Sequence, residues 1–269
     1  MKINTLRTVA AISVLFAVPA LADDARVTAY QSQLRGVRVT HIASETAKLV
    51  VAEKSDVRAA AAADAVTAAI SLRAPSAPLV VGSVAKALPE TAAIAAATAV
   101  KLQPKMAGQF AKAAVSAAPS EIGSIVGAMC KAQPVSFYAI GVSASEGAPK
   151  ASDKVLPAIT AAVPALKPLV ARAQADFAAA KRTASLALVL KHTEDLLAAY
   201  ARDAKETPEA MLAKETDTTM ATRLASSAVT GPPPVLLPPF VPGGGAPGEY
   251  TPAGTTQVSP GSRANYAAP

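Results

Sequence analysis

Tryptophan is absent from this 269-residue chain, cysteine occurs once, histidine twice, and aromatic residues make up 4% of it. Each scarcity removes a class of function. One cysteine permits no intramolecular disulfide, which excludes a disulfide-stapled module. His41 and His192 lie far apart with no cysteine beside either, so no zinc-ligand set exists. The common catalytic signatures are also missing: G-x-S-x-G, the Walker loop, H-E-x-x-H and G-x-G-x-x-G. Gly141-Val142-Ser143-Ala144-Ser145 meets only half of a nucleophile elbow. Ser83-Val84-Ala85-Lys86 fits S-x-x-K, which puts a lysine amine one helical turn from a serine hydroxyl. Its partner motifs S-D-N and K-T-G are lacking, and no stretch reads as the sheet that such chemistry uses. Glu194 and Asp195 near His192 read as a solvated helix face. The chain is therefore read as non-enzymatic, without catalytic, cofactor-binding or metal-binding residues.

Long apolar runs are scarce as well. Residues 9–18 form one, but it is too short for a permanent span. Lys2 and Arg7 precede it and Ala20-Leu21-Ala22 follows, which together make residues 1–22 a signal peptide cleaved before Asp23. An exported protein, periplasmic or extracellular, is expected. Loss of Lys2 and Arg7 takes the formal charge from +7 to +5. Those charges are mixed along the chain and read as solvated surface. Export argues against nucleic acid as a partner, while weak peripheral association with an anionic envelope polymer or membrane is compatible with the balance.

What the chain has in abundance is alanine and proline. Prolines fall at 89, 104, 119, 134, 149 and 164, one every fifteen residues. Twenty-two prolines scattered over 269 positions would not produce that spacing, so it marks a repeat. Proline is expelled from helix interiors but tolerated in a first turn. Between the prolines lie strong helix formers, and Thr91, Ser120, Ser136 and Ser152 follow them as candidate N-caps. Apolar residues step by three or four: Ile122, Ile125, Val126, Met129 and Cys130 in one unit, Met106, Phe110, Ala114 and Val115 in another. Cys130 on that stripe is read as a buried, inert thiol, with an intermolecular disulfide as the alternative. Each unit is thus one helix of about eleven residues and a turn of about four, too short to stand alone in water. Short connections make successive helices antiparallel, and the predicted fold is all-α, an α-solenoid-like array or irregular bundle.

Four segments follow from this. Residues 1–22 are the signal, and 23–43 are a partly helical start, helical to Leu34 and irregular after it. Residues 44–228 form the helical-repeat domain, with helices starting near Ser44 or Thr46 and near Ser55, the second of them stopped by Pro75 and Pro78. Pro157 and Pro168 disturb the far end of the repeat. No proline or glycine then occurs before Pro208, which allows one long C-terminal helix with 181–185 as a candidate break, and Thr207-Pro208 opens a shorter one. Residues 229–269, rich in proline and glycine, form an extended or disordered tail. Within it Pro234, Leu236, Leu237 and Phe240 make a partner-docking segment. The function expected is a scaffold or interaction module of the cell envelope with a protein partner. The alternative is an amphipathic-helix protein whose helices open onto lipid or another hydrophobic surface.

Overall fold

The computed structural model describes residues 24–214. The signal-peptide reading, the proline-rich tail and the docking segment at Pro234, Leu236, Leu237 and Phe240 lie outside the described residues. Among the described residues are twelve α-helices and no strand. They are α1 (Asp24–Leu34), α2 (Ile42–Ala52), α3 (Arg58–Leu72), α4 (Ala77–Ala87), α5 (Ala92–Leu102), α6 (Ala107–Ala117), α7 (Ile122–Ala132), α8 (Phe137–Gly147), α9 (Val155–Ala162), α10 (Lys167–Ala179), α11 (Leu186–Ala204) and α12 (Pro208–Lys214).

Proline sets the repeating unit through its effect on the residue before it. Its ring excludes that residue from the α region, and Gln103, Ala118, Gln133 and Ala148 accordingly sit at φ between −134 and −144 and ψ between 70 and 80. The displaced residue still donates its N–H to the helix behind it, Gln103 to the Ala99 carbonyl at 2.9 Å. Its own carbonyl accepts from the third residue ahead, Met106, at 3.0 Å. Proline and the next two residues form a single 3-10 turn, and an eleven-residue helix follows. The turn is thus closed by backbone alone.

The hydroxyls after the prolines do not cap. Thr91 donates its Oγ1–H to the Leu88 carbonyl at 2.9 Å and accepts from no first-turn N–H. Its φ of −96° and ψ of −7° are helical, whereas an N-cap needs an extended backbone. The residue preceding α8, Ser136, makes no side-chain cap either. Ser185 and Thr207 do cap, accepting from Leu188 at 3.4 Å and Ala210 at 3.2 Å.

The repeat begins one unit earlier than the fifteen-residue spacing indicates. Ala74–Ser76 is a 3-10 turn of the same kind, with Arg73 at φ −146° and ψ 72° before it. Pro75 and Pro78 lie in first turns of these new elements, as do Pro157 in α9 and Pro168 in α10. At the far end the turn lengthens to six residues, Pro149–Lys154, and α9 shortens to eight, so the register recovers at Val163.

The long C-terminal helix divides at the predicted break. α10 ends with Lys181 at φ 51°, and the Arg182 N–H reaches back to the Phe177 carbonyl at 3.1 Å, a left-handed helix stop. α11 then folds back and covers Val170 and Ala173 with Val189, which a straight helix would leave in water.

The helices stack in two rows. Each of α1–α9 packs most tightly on a helix two places away, which gives one row of α1, α3, α5, α7 and α9 and another of α2, α4, α6 and α8, which α11 extends. Gly82 faces Ala113, Gly108 faces Ala139, and Gly127 faces Ala158, each pair 31 residues apart, so neighbours within a row run parallel. After α9 the chain turns by 112°, from Pro149–Ala162 to Pro164–Ala179. The shared core runs from Tyr30 and Leu34 in α1 to Met211 and Leu212 in α12. It is lined with alanine in α3 and α5 and with Phe110, Ile122, Ile125, Phe137 and Ile140 further on. Ile122, Ile125, Val126, Met129 and Cys130 are all fully buried, as their spacing predicts.

Candidate functional site

The residues singled out in the sequence remain apart. Ser83 is half-buried and Lys86 exposed on α4. His41 precedes α2, while His192 on α11 meets Asp176 of α10, Nε2 to Oδ2 at 3.0 Å. Arg172 Nε holds the other oxygen of Asp176 at 3.0 Å, and Phe177 meets the His192 ring edge-on at 5.7 Å. The His192 hydrogen bond, helped by Arg172, keeps the Asp176 carboxyl below the usual carboxylate range. Glu194 and Asp195 both pair with Lys191 instead, at 2.9 and 3.1 Å. This cluster holds α11 to α10. Cys130 is buried, and desolvation pushes its thiol up to about 12. Among the described residues no group of three or more His, Cys, Asp or Glu side chains is placed to hold a metal.

Not every charge is solvated, as composition alone suggests. Asp64 is 3% exposed inside the first row, where Arg26 meets it at 3.4 Å. Nearby, the Tyr30 hydroxyl donates to Glu53 at 2.8 Å, and Arg58 spans to Glu90 at 3.6 Å. These pairs fasten α1 and the α2–α3 connection to the array.

Two features are visible only in the folded array. The first is a groove of about 540 Å³ on the outer face of α5, α7 and α9. Gly123 and Gly127 of α7 form its floor, Ile94 lies on one wall, and Lys101 and Lys131 stand together at one end. Glycine inside a helix costs roughly 1 kcal/mol relative to alanine. Elsewhere the cost has a packing reason: a Cβ on Gly147 would lie 3.0 Å from the Lys112 carbonyl oxygen. At Gly123 a Cβ would meet nothing within 4 Å, and at Gly127 only the Ala158 carbonyl oxygen at 3.9 Å. Internal packing does not require those two glycines.

The second feature is a segregation of charge between the two edges of the array. Parallel stacking brings the connections that leave the first row (35–41, 71–76, 101–106, 131–136 and 161–167, the last leading to α10) to one edge. They carry Arg35, Arg38, Arg73, Lys101, Lys105, Lys131 and Lys167, all exposed, and no Asp or Glu. The return connections (53–58, 86–91, 116–121 and 146–154) carry Glu53, Asp56, Glu90, Glu121, Glu146 and Asp153 beside five cations. Helix dipoles attract cations to C-terminal ends, but Glu146 and Ser116 occupy those ends in α8 and α6, so the dipole does not explain the difference. Sequence inspection misses this because each edge gathers residues from every second turn.

No family model, no curated protein and no solved structure gives a significant match to this chain.

Proposed function

We propose that this chain is an exported, non-enzymatic helical-repeat scaffold or interaction module of the cell envelope. Export rests on the charged start, apolar run and Ala20-Leu21-Ala22 site of residues 1–22. The scaffold reading rests on the groove along α5, α7 and α9. Three alternate units supply its walls, so it exists only because the repeat stacks, and its glycine floor leaves room for a partner backbone to approach closely. A protein partner lying across the row would bury small side chains against a wide face.

The test is capture from an envelope fraction by the purified full chain and by Gly123→Leu/Gly127→Leu, which fills the groove without touching the core. The expected result is a defined partner retained by the wild type and lost by the filled variant, whose melting temperature is no lower than that of the wild type. Equal capture by both, or turnover of a small-molecule substrate, overturns the reading. Fractionation of cells tests export separately, by release of a chain that begins at Asp23.

A further inference from the structure

We infer that the edge of the array where connections leave the first row is a docking strip for an anionic lipid bilayer. It does not depend on the scaffold reading, which concerns the groove face and a protein partner. Six of the cations on this edge, Arg35, Arg38, Arg73, Lys101, Lys105 and Lys131, make no ion pair among the described residues. On the opposite edge Glu90 and Glu146 are both paired, with Arg58 and Lys112. Stacked helices lie about 8–10 Å apart, so the four connections that carry these six cations set a row roughly 24–30 Å long. That step is close to the screening length of about 10 Å at 0.1 M salt, and no acid in these connections neutralises the row. α12 packs on the Pro134–Ser136 turn and brings Glu209 to one end of it, leaving the α1–α2, α3–α4 and α5–α6 connections without an acid of their own.

Charge alone would suit any polyanion. Exposed apolar side chains decide for a lipid surface. Val39 follows Arg38 at 56% exposure, and Leu102 follows Lys101 at 45%. Leu79, at 70%, lies in the first turn of α4, just beyond the Arg73 connection. A soluble acidic polymer offers nothing to these side chains. A bilayer takes the cations at its anionic headgroups and the apolar tips into the headgroup–acyl boundary. The amphipathic stripes of the helices stay in the core, so docking needs no opening of the array, and no single helix among the described residues is long and apolar enough to cross a membrane.

Flotation of the full chain with vesicles tests the inference. The vesicles are phosphatidylcholine alone, or phosphatidylcholine with about one third phosphatidylglycerol, in 0.1 M salt. The chain is expected to float with the anionic vesicles only. Each lysine near such a surface contributes about fivefold in partitioning, so Lys101→Gln/Lys105→Gln/Lys131→Gln should lower it about a hundredfold. A control with the same charge change on the opposite edge, Lys54→Gln/Lys150→Gln/Lys154→Gln, should lower it less than tenfold. All six lysines are exposed, and unchanged circular dichroism checks that both variants fold. Leu102→Ser should weaken vesicle binding severalfold and leave binding to soluble poly-glutamate untouched. Failure to bind anionic vesicles, or equal losses from the two triple variants, overturns the inference. So does poly-glutamate binding as tight as vesicle binding with no effect of Leu102→Ser, which would assign the edge to an acidic protein.

Discussion

Two glycines in neighbouring helices should respond to the same substitution with opposite signs. Gly123 lies on the outer face of α7, and a Cβ there meets nothing within 4 Å. Alanine at that position restricts the unfolded chain and favours helix, so Gly123→Ala should stabilise by about 0.5–1 kcal/mol. Gly147 ends α8 where it crosses α6, and its Cβ would lie 3.0 Å from the Lys112 carbonyl oxygen and 3.0 Å from Ser116 Oγ. The serine hydroxyl is able to rotate away. The carbonyl belongs to a helix whose next turn is fixed by the buried Ala111, Ala114 and Val115. Relief therefore requires α6 and α8 to separate by a few tenths of an ångström along a contact that holds Phe110 and Ile140. Overpacking of that kind costs about 1–3 kcal/mol, more than the weak propensity gain in a last turn. Gly147→Ala should thus destabilise by about 1–2 kcal/mol net. Chemical denaturation of the two variants, with unchanged m-values, measures both. If Gly147→Ala is as stabilising as Gly123→Ala, the rows are not held at contact distance by small residues.

Three further outcomes are expected. Ser185→Ala removes the one side-chain cap on α11 and should cost about 1 kcal/mol, seen as earlier amide exchange in the first turn of that helix. Cys130, raised to about 12 by burial, should stay unreacted with a thiol reagent at pH 8 in the native state and react fully in denaturant. Asp176 is held below its unfolded value of about 3.9, so its contribution is complete above that pH and is lost as the pH falls through the folded value. Its side chain is 37% exposed, and screening limits the effect to under about 1 kcal/mol. Asp176→Asn should remove that part of the acid dependence, which melting curves between pH 7 and 3 would reveal.

The parts of this fold that were legible in the sequence are those governed by local backbone sterics. Proline acts on its own first turn and on the residue before it, so Pro104 and Pro119 mark boundaries without reference to the rest of the molecule. Apolar spacing placed Ile122, Ile125 and Val126 in the core for the same reason. The unit at Ala74 was not legible, because its proline comes one position late. There the Pro75 ring excludes continuation of α3 past the Ser71 carbonyl, and the helix ends at Leu72 all the same. Thr91 and Ser136 misled because a hydroxyl next to a helix start is ordinarily a cap, whereas a proline-led 3-10 turn keeps that residue out of the extended conformation a cap needs. Asp64 gave no local sign of burial, since its partner Arg26 lies 38 positions earlier.

The candidate surfaces were hidden for a different reason. Prolines repeat every fifteen residues, but an environment recurs only every thirty, because consecutive helices belong to different rows. Lys101 and Lys131 are thirty apart and share the end of one groove. The residues at the same phase fifteen positions from them, Lys86, Ser116 and Glu146, lie on the other edge and follow no common chemistry. A fifteen-residue comparison averages the two environments and finds only what both need, which is a turn proline and an apolar stripe. Whatever distinguishes a binding edge from an inert one is carried by the thirty-residue alternation. That alternation becomes readable only once the parallel stacking of Gly108 on Ala139 and Gly127 on Ala158 assigns each connection to its side. Properties of the fold therefore follow the short period here, and properties of the surface follow the long one.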